Sequence, residues 1–237
     1  MSSLISLRKA LDSSVGRKII MALSGLGLVV FIVIHLAGNL LLYKADPGPF
    51  NRYAAGMMAK GMVLWVLEAG LALVFLIHIA SAIRIRLGNF AARPHGYVHL
   101  HPKRGTHPTN RVGRVMFLTG ILLLVFLPLH ILKFRLGAGM EAGYVAYDGE
   151  KQIRDLYGLV QETFQNPLWT AFYVLVMAVL GLHLRHGIWS AFQSLGAAHP
   201  RWTRLLWWAA FAVSALLAVG FFLIPLWFYF DVPGRLL

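Results

Sequence analysis

Residues 180–196 read LGLHLRHGIWSAFQSLG, and they close a run of 22 uncharged residues between Glu162 and Arg185. At 1.5 Å per residue such a run crosses about 30 Å of hydrocarbon. His183 therefore stands inside a lipid-embedded helix. Three further apolar runs each carry one comparably placed histidine, at His35, His78 and His130. A fold for this chain has to account for these four rings.

The neighbouring runs set the architecture. Lys18 and Lys44 enclose 25 uncharged residues, and Arg204 and Asp231 enclose 26. Between Lys60 and Arg84 lie 23 residues with Glu68 as the single charge, and between Arg114 and Lys133 lie 18 with none. Of the 237 residues, 58% are hydrophobic and 13% charged, with a mean hydropathy of +0.67, well past the apolar share of a soluble domain. The expectation is an all-α integral membrane protein, one membrane domain over 1–237. Its five-helix bundle would span about 19–43, 61–87, 112–135, 168–192 and 205–230. Residues 1–18 read as an interfacial arm, with Leu4, Ile5, Leu7 and Leu11 on one face beside Arg8 and Lys9. The first run is too long for a signal-peptide core and no small-residue cleavage site follows it, so it is expected to remain in the chain.

A net charge of +13 in a soluble protein would point to nucleic acid, but basic residues in a membrane protein collect on cytoplasmic loops. The N-terminal arm, the connection 84–114 and the connection between the last two spans hold 14 Lys and Arg against one acid, Asp12. The opposite side holds the other 8 basic residues and seven of the nine acids. The N-terminus is thus expected inside, in the cytoplasmic membrane of a prokaryote, with no nucleic-acid partner. The chain has no cysteine, which excludes a disulfide framework, thiolate-bound iron–sulfur clusters and covalent c-type haem on this polypeptide.

Several local features qualify the spans. Gly25-Leu26-Gly27 follows no strand and reads as a close-packing stripe, not a nucleotide loop. Asp46-Pro47-Gly48-Pro49 is a turn cluster, and Phe50 to Lys60 is polar enough to run along the outer surface. Pro128, just before His130, should kink the helix or loosen its hydrogen-bond ladder. Residues 136–165 form the longest outer connection, read as part helical, and Asn166-Pro167 opens the fourth span. The loop histidines His95, His99, His101 and His107 stand among basic residues without Cys or acids, so a solvated or partner-binding surface is preferred to a metal site.

An ionisable side chain inside a membrane helix usually faces a partner. With span midpoints near 31, 74, 124 and 179, each histidine falls about four to six residues beyond the midpoint, roughly 6 to 9 Å. Alternate spans run in opposite directions, so equal offsets give opposite depths. His35 and His130 fall in the outer half; His78 and His183 fall in the inner half. Two rings at each level suit two haem irons stacked across the membrane about 12 to 18 Å apart, each held from both sides. Histidines serving only as interhelical hydrogen bonds or as a proton relay would leave the two matched levels unexplained.

His186 shares the face of His183 one turn nearer the inner surface, where it either competes as a ligand or bonds a haem propionate or a quinone. Arg17, Lys18, Arg84, Arg86 and Arg185 stand at the same surface. They either pair with propionates of the inner haem or only express the inward bias of positive charge. Glu68 is either a proton acceptor for a quinone near the outer haem or a carboxylate placed beside a helix N-terminus.

The chain resembles the cytochrome b subunit of succinate dehydrogenases and fumarate reductases, in the five-helix, dihaem, single-anchor branch. The resemblance covers nearly the whole chain. It rests on SSVGRKIIMALSGLGLVVFIVIHLAGNLLLY around His35, FNRYA at 50–54, LEAGLALVFLIHIASAIR around His78, RVGRVMFLTGILLLVFLPLH ending at His130, and NPLWTAFYVLVMAVLGLHLRHGIWSAFQSLG around His183. It implies that His35 and His130 ligate the distal haem b and His78 and His183 the proximal one. It also implies a flavoprotein subunit with covalent FAD and an iron–sulfur subunit docked on the cytoplasmic face, in a complex that can associate further. Electrons would then pass between succinate or fumarate and a membrane quinone, with menaquinone expected. Some fumarate reductases of this branch carry a glutamate two residues before the fourth-span histidine; here that position is Gly181. Competing expectations are the dihaem cytochrome b of a hydrogenase or formate dehydrogenase, and a haem-free proton-coupled transporter.

Overall fold

A computed structural model describes residues 9–91 and 109–230, without the side chains of 109–114. The expected amphipathic face at Leu4, Ile5 and Leu7 and the loop histidines His95, His99, His101 and His107 lie outside the described residues. Five helices are long and apolar enough to cross a membrane, which makes the chain a multi-pass helical membrane bundle. They are α1 (Ser14–Asn39), α3 (Met62–Ala91), α4 (Thr109–His130), α6 (Pro167–Ser194) and α7 (Thr203–Phe230). Two shorter helices, α2 (Gly48–Met58) and α5 (Leu156–Gln165), lie between them.

The spans differ from the expected boundaries where local chemistry sets the ends. The helix of the first span begins at Ser14, within the stretch read as the arm. The Ser13 hydroxyl caps α1 by accepting from Gly16 N at 3.0 Å, so 14–18 belong to the long helix. The chain folds so tightly there that a Cβ on Gly16 would come 2.8 Å from the Leu11 backbone. Asn166 caps α6 from its side chain, accepting from Leu168 N and Trp169 N, and Pro167 takes the first helical position, where its missing N–H costs nothing. Beyond Pro128, α4 passes into a π-helical turn, Ile131–Arg135, so the ladder changes spacing immediately after His130.

The closest helix pair is α6 with α7, and α1 packs on both α3 and α6. α6 and α7 pack along their length, and both contact α1. Glycines permit the approach: a Cβ on Gly181 would lie 2.7 Å from Ala218 Cβ, and one on Gly220 would lie 2.7 Å from Leu36 Cδ2. Leu36, Leu184, Ile188, Ala210 and Leu217 fill the resulting core. The other two spans hang on this unit separately, α3 on α1 and α4 on α6, and they do not pack closely on one another. α3 approaches α1 at Gly25 and Gly27, which face His78 and Val74. Its outer surface exposes Trp65, Leu73, Leu76 and Leu87, an apolar face suited to lipid.

At the end of the bundle opposite the N-terminus, a cap adds a short hairpin to the otherwise helical described residues. Residues 136–165 contain an antiparallel hairpin, β1 (Val145–Asp148) with β2 (Lys151–Arg154), turning at Gly149 with φ +63°. α5 follows the hairpin. The segment 50–60, expected along the surface, instead sends Phe50 and Asn51 inward from α2. Asn51, 1% exposed, donates to Asp155 Oδ1 at 2.7 Å and accepts from Tyr157 N at 2.9 Å. Asp155 in turn caps α5 by accepting from Gly158 N at 3.0 Å. Arg154 donates to the carbonyls of Ala138, Phe134 and Gly137 at 2.9, 3.0 and 3.2 Å, tying the hairpin to the end of the π turn. Burial pulls the Arg154 guanidinium below the usual arginine range, and nearby Glu141 opposes the shift.

Two changes test this packing. Asn51→Ala leaves the buried Tyr157 N–H without its acceptor and takes one of two donors from half-buried Asp155, at about 1–3 kcal/mol. Hydrogen exchange in detergent is expected to show the α2 and α5 amides unprotected before those of α6 and α7. Gly181→Leu forces α6 and α7 apart and is expected to cost about 1–3 kcal/mol, read as a lowered midpoint of thermal unfolding.

Candidate metal centres

The four membrane histidines meet as two pairs. His35 of α1 and His130 of α4 have ring centroids 5.8 Å apart with planes at 87°. His78 of α3 and His183 of α6 are 6.4 Å apart with planes at 67°. Two collinear metal–imidazole bonds of about 2 Å each would place ring centroids roughly 6 Å apart. Both pairs therefore have the spacing of two imidazoles facing one metal ion.

The two pairs are separated by the same step on three helices. On α1, Gly25 faces His78, and His35 follows ten residues later. On α4, Gly120 faces His183, and His130 follows ten residues later. On α6, Tyr173 contacts His130, and His183 follows ten residues later. Ten residues rise about 15 Å, which is the distance between the two levels along the bundle.

Hydroxyls fix the rings of the pair nearer the N-terminus of α1. Thr119 Oγ1 spends its single proton on Met116 O at 3.0 Å, so it faces His183 Nδ1, also at 3.0 Å, as an acceptor. An Nδ1–H at His183 would find its acceptor there, and that tautomer leaves the Nε2 lone pair free, the form that binds a metal. Ser24 repeats the device more loosely, donating to Ile20 O at 2.8 Å and facing His78 Nδ1 at 3.5 Å. Gly25 and Gly120 leave room beside these rings: an added Cβ would come 3.3 Å from His78 Cε1 and 3.6 Å from His183 Cε1.

The far pair sits in an aromatic box. Phe31 stacks on His35 at 5.5 Å and Phe221 at 5.6 Å, while Phe126 and Phe134 flank His130 at 5.4 and 5.5 Å. Tyr173 Oη lies 3.3 Å from His130 Nδ1. Asn39 donates from Nδ2 to its own helix at His35 O, 2.7 Å away, and overhangs the imidazole edge at 3.4 Å.

This donor set fits a haem better than a bare ion. Among the described residues no group of three or more His, Asp or Glu side chains converges, so each level offers two imidazoles and no carboxylate. A closed zinc site needs four protein ligands, whereas a porphyrin brings four nitrogens of its own and asks the protein for two. The loose α3–α4 side, the aromatic walls and the glycines beside His78 and His183 suit a flat apolar macrocycle.

The remaining sequence candidates divide by position. Glu68 takes a bidentate ion pair with Arg135, Nε to Oε1 at 2.7 Å and Nη2 to Oε2 at 3.2 Å, which joins α3 to the π turn after His130. The carboxylate thus has an arginine partner that neither sequence alternative anticipated. Arg185 turns to α7, over Trp207 and Phe211 at 5.3 and 5.7 Å, away from the histidine pair. Arg84 makes an exposed 4.0 Å contact with Asp12, and Lys18 is exposed. Arg17 Nε donates to Ser13 O at 3.5 Å. His186 is half-buried one turn from His183. Arg86 alone of the five cations lodges between α3 and α4, over Phe90 at 4.3 Å and Phe117 at 5.3 Å. Thr119, Ser24, Tyr173 and Arg135 were not singled out from sequence, because nothing local distinguishes them from ordinary helix residues. Comparison of the chain with family models, curated proteins and solved structures finds no match.

The hydroxyl geometry has a direct readout. In protein labelled with ¹⁵N at histidine, His183 is expected as the Nδ1–H tautomer, and Thr119→Val is expected to mix in the other. A wild-type Nε2–H form at His183 contradicts the arrangement.

Proposed function

We propose that the chain is the dihaem cytochrome b anchor subunit of a succinate:quinone oxidoreductase or quinol:fumarate reductase. It would lie in the cytoplasmic membrane of a prokaryote with its N-terminus inside. The observation that carries this reading is the pairing of the four histidines at 5.8 and 6.4 Å, repeated at one ten-residue step on three helices. A haem b at each level supplies a one-electron carrier, and about 15 Å between levels suits electron transfer across the bilayer. The chain's own part is to hold each ring in its ligating form and to exclude water. His78 and His183 serve the inner haem, and His35 and His130 the outer one.

In this reading the basic N-terminal end receives the iron–sulfur subunit, which carries the flavoprotein subunit with its FAD. The quinone, menaquinone by preference, exchanges protons near Glu68. Arg135 grips both carboxylate oxygens of Glu68, so a quinone bound there would meet a paired carboxylate. The dicarboxylate chemistry belongs to the partners.

Purified protein is expected to give two haems b per chain in a pyridine haemochrome assay, and a subunit with covalent flavin is expected to copurify. His78→Ala and His183→Ala should remove one and the same spectral component, and His35→Ala and His130→Ala the other. A chain without haem would sink the proposal. Two haems with a hydrogenase or formate dehydrogenase partner, and no covalent flavin, would reassign the complex.

A further inference from the structure

Arg86 Nε is the one side-chain polar atom among the described residues that is buried without a hydrogen-bond partner. A cationic N–H withdrawn from water with nothing to accept it is unfavourable, and such orphans are rare. The surroundings indicate what is missing. Phe90 and Phe117 lie against the guanidinium at 4.3 and 5.3 Å, and neither ring offers an acceptor to the in-plane N–H donors along its edge. Phe117 stands three residues before Gly120, the residue facing His183, so Arg86 lies about 5 Å along α4 to the N-terminal side of the inner pair. It is also in the gap between α3 and α4, whereas Arg84 lies on Asp12, Arg185 turns to α7, Arg17 bonds Ser13 O and Lys18 is exposed. Among the described residues no carboxylate is seen to meet it there: Glu68 is at the far end on Arg135, and Asp12 contacts Arg84.

We propose that Arg86 clamps a propionate carboxylate of the group bound between His78 and His183, and that its charge makes that centre easier to reduce than it would otherwise be. This rests on the dihaem reading. It goes beyond it by selecting one cation of five, with a role in tuning. An oriented arginine fork matches a carboxylate edge-on with two parallel donors, and the Nε–H supplies one of them. Without the cation the propionate's negative charge stabilises the oxidised, more positive state of the centre.

The test uses Arg86→Met and Arg86→Lys in the full complex, with redox titration of each spectral component and a haem count. Arg86→Met is expected to keep two haems per chain. The component lost in His78→Ala should become about tenfold harder to reduce, about 59 mV for one electron. The other component should stay unmoved, and Arg86→Lys should recover part of the shift. Unmoved potentials in Arg86→Met, or a shift confined to the His35 component, overturn the assignment and leave Arg86 as a packing wedge. If Arg86→Met loses the inner component, Arg86→Lys decides: retention at an intermediate potential supports the clamp, and retention at the wild-type potential, or loss again, overturns it. A wild-type chain holding no haem would defeat the underlying reading; two haems with unmoved potentials would defeat only the clamp.

Discussion

An imidazole in hydrocarbon has two nitrogens to satisfy and no water to satisfy them with. In this bundle three of the four rings find a polar neighbour on another helix, while His35 has Asn39 of its own helix. His78 on α3 meets Ser24 on α1, His183 on α6 meets Thr119 on α4, and His130 on α4 meets Tyr173 on α6. The polar contacts that hold the rings are thus the same contacts that tell the outer helices where to lie. Cross-membrane pairing and helix arrangement are one problem with one solution.

That solution divides the molecule into a tight half and an open half. α1, α6 and α7 approach through glycine and alanine and form a rigid spine. α3 and α4 lean on it from either side and meet each other chiefly through long side chains, Arg86 against Phe117 near one end and Glu68 on Arg135 at the other. The far cap completes the frame: Asn51, Asp155 and Arg154 bind the cap segments to each other and to the turn that positions Arg135. A cap with its own polar core explains how an exposed loop holds an ion pair in register with a membrane helix.

The spans and the four histidines were legible because lipid imposes a length and a cost that composition records directly. Charge-free runs of 18 to 26 residues and isolated histidines within them need no knowledge of neighbours. The cap was not legible. Asn51 bonds residues more than a hundred positions away, and nothing in FNRYA announces that partner. Glu68 illustrates the same gap, because its alternatives were framed by its own helix while its partner sits 67 residues on. For Arg185 the two readings left open by the sequence are separated by helix geometry: two residues past His183 it faces a different way around the helix, toward Trp207 and Phe211.

The common ten-residue step between the two levels also bears on how such a chain can change over time. One residue inserted between Gly25 and His35, between Gly120 and His130, or between Tyr173 and His183 would rotate everything beyond it by about 100° and shift it about 1.5 Å. One ring would then leave its pair while the other three stayed. Apart from close-packed positions such as Gly181, side chains in these three segments can vary among apolar residues, but the number of residues cannot. Length variation in related chains should therefore collect at the hairpin turn around Gly149, where one end of the cap faces open space, and be absent between the levels.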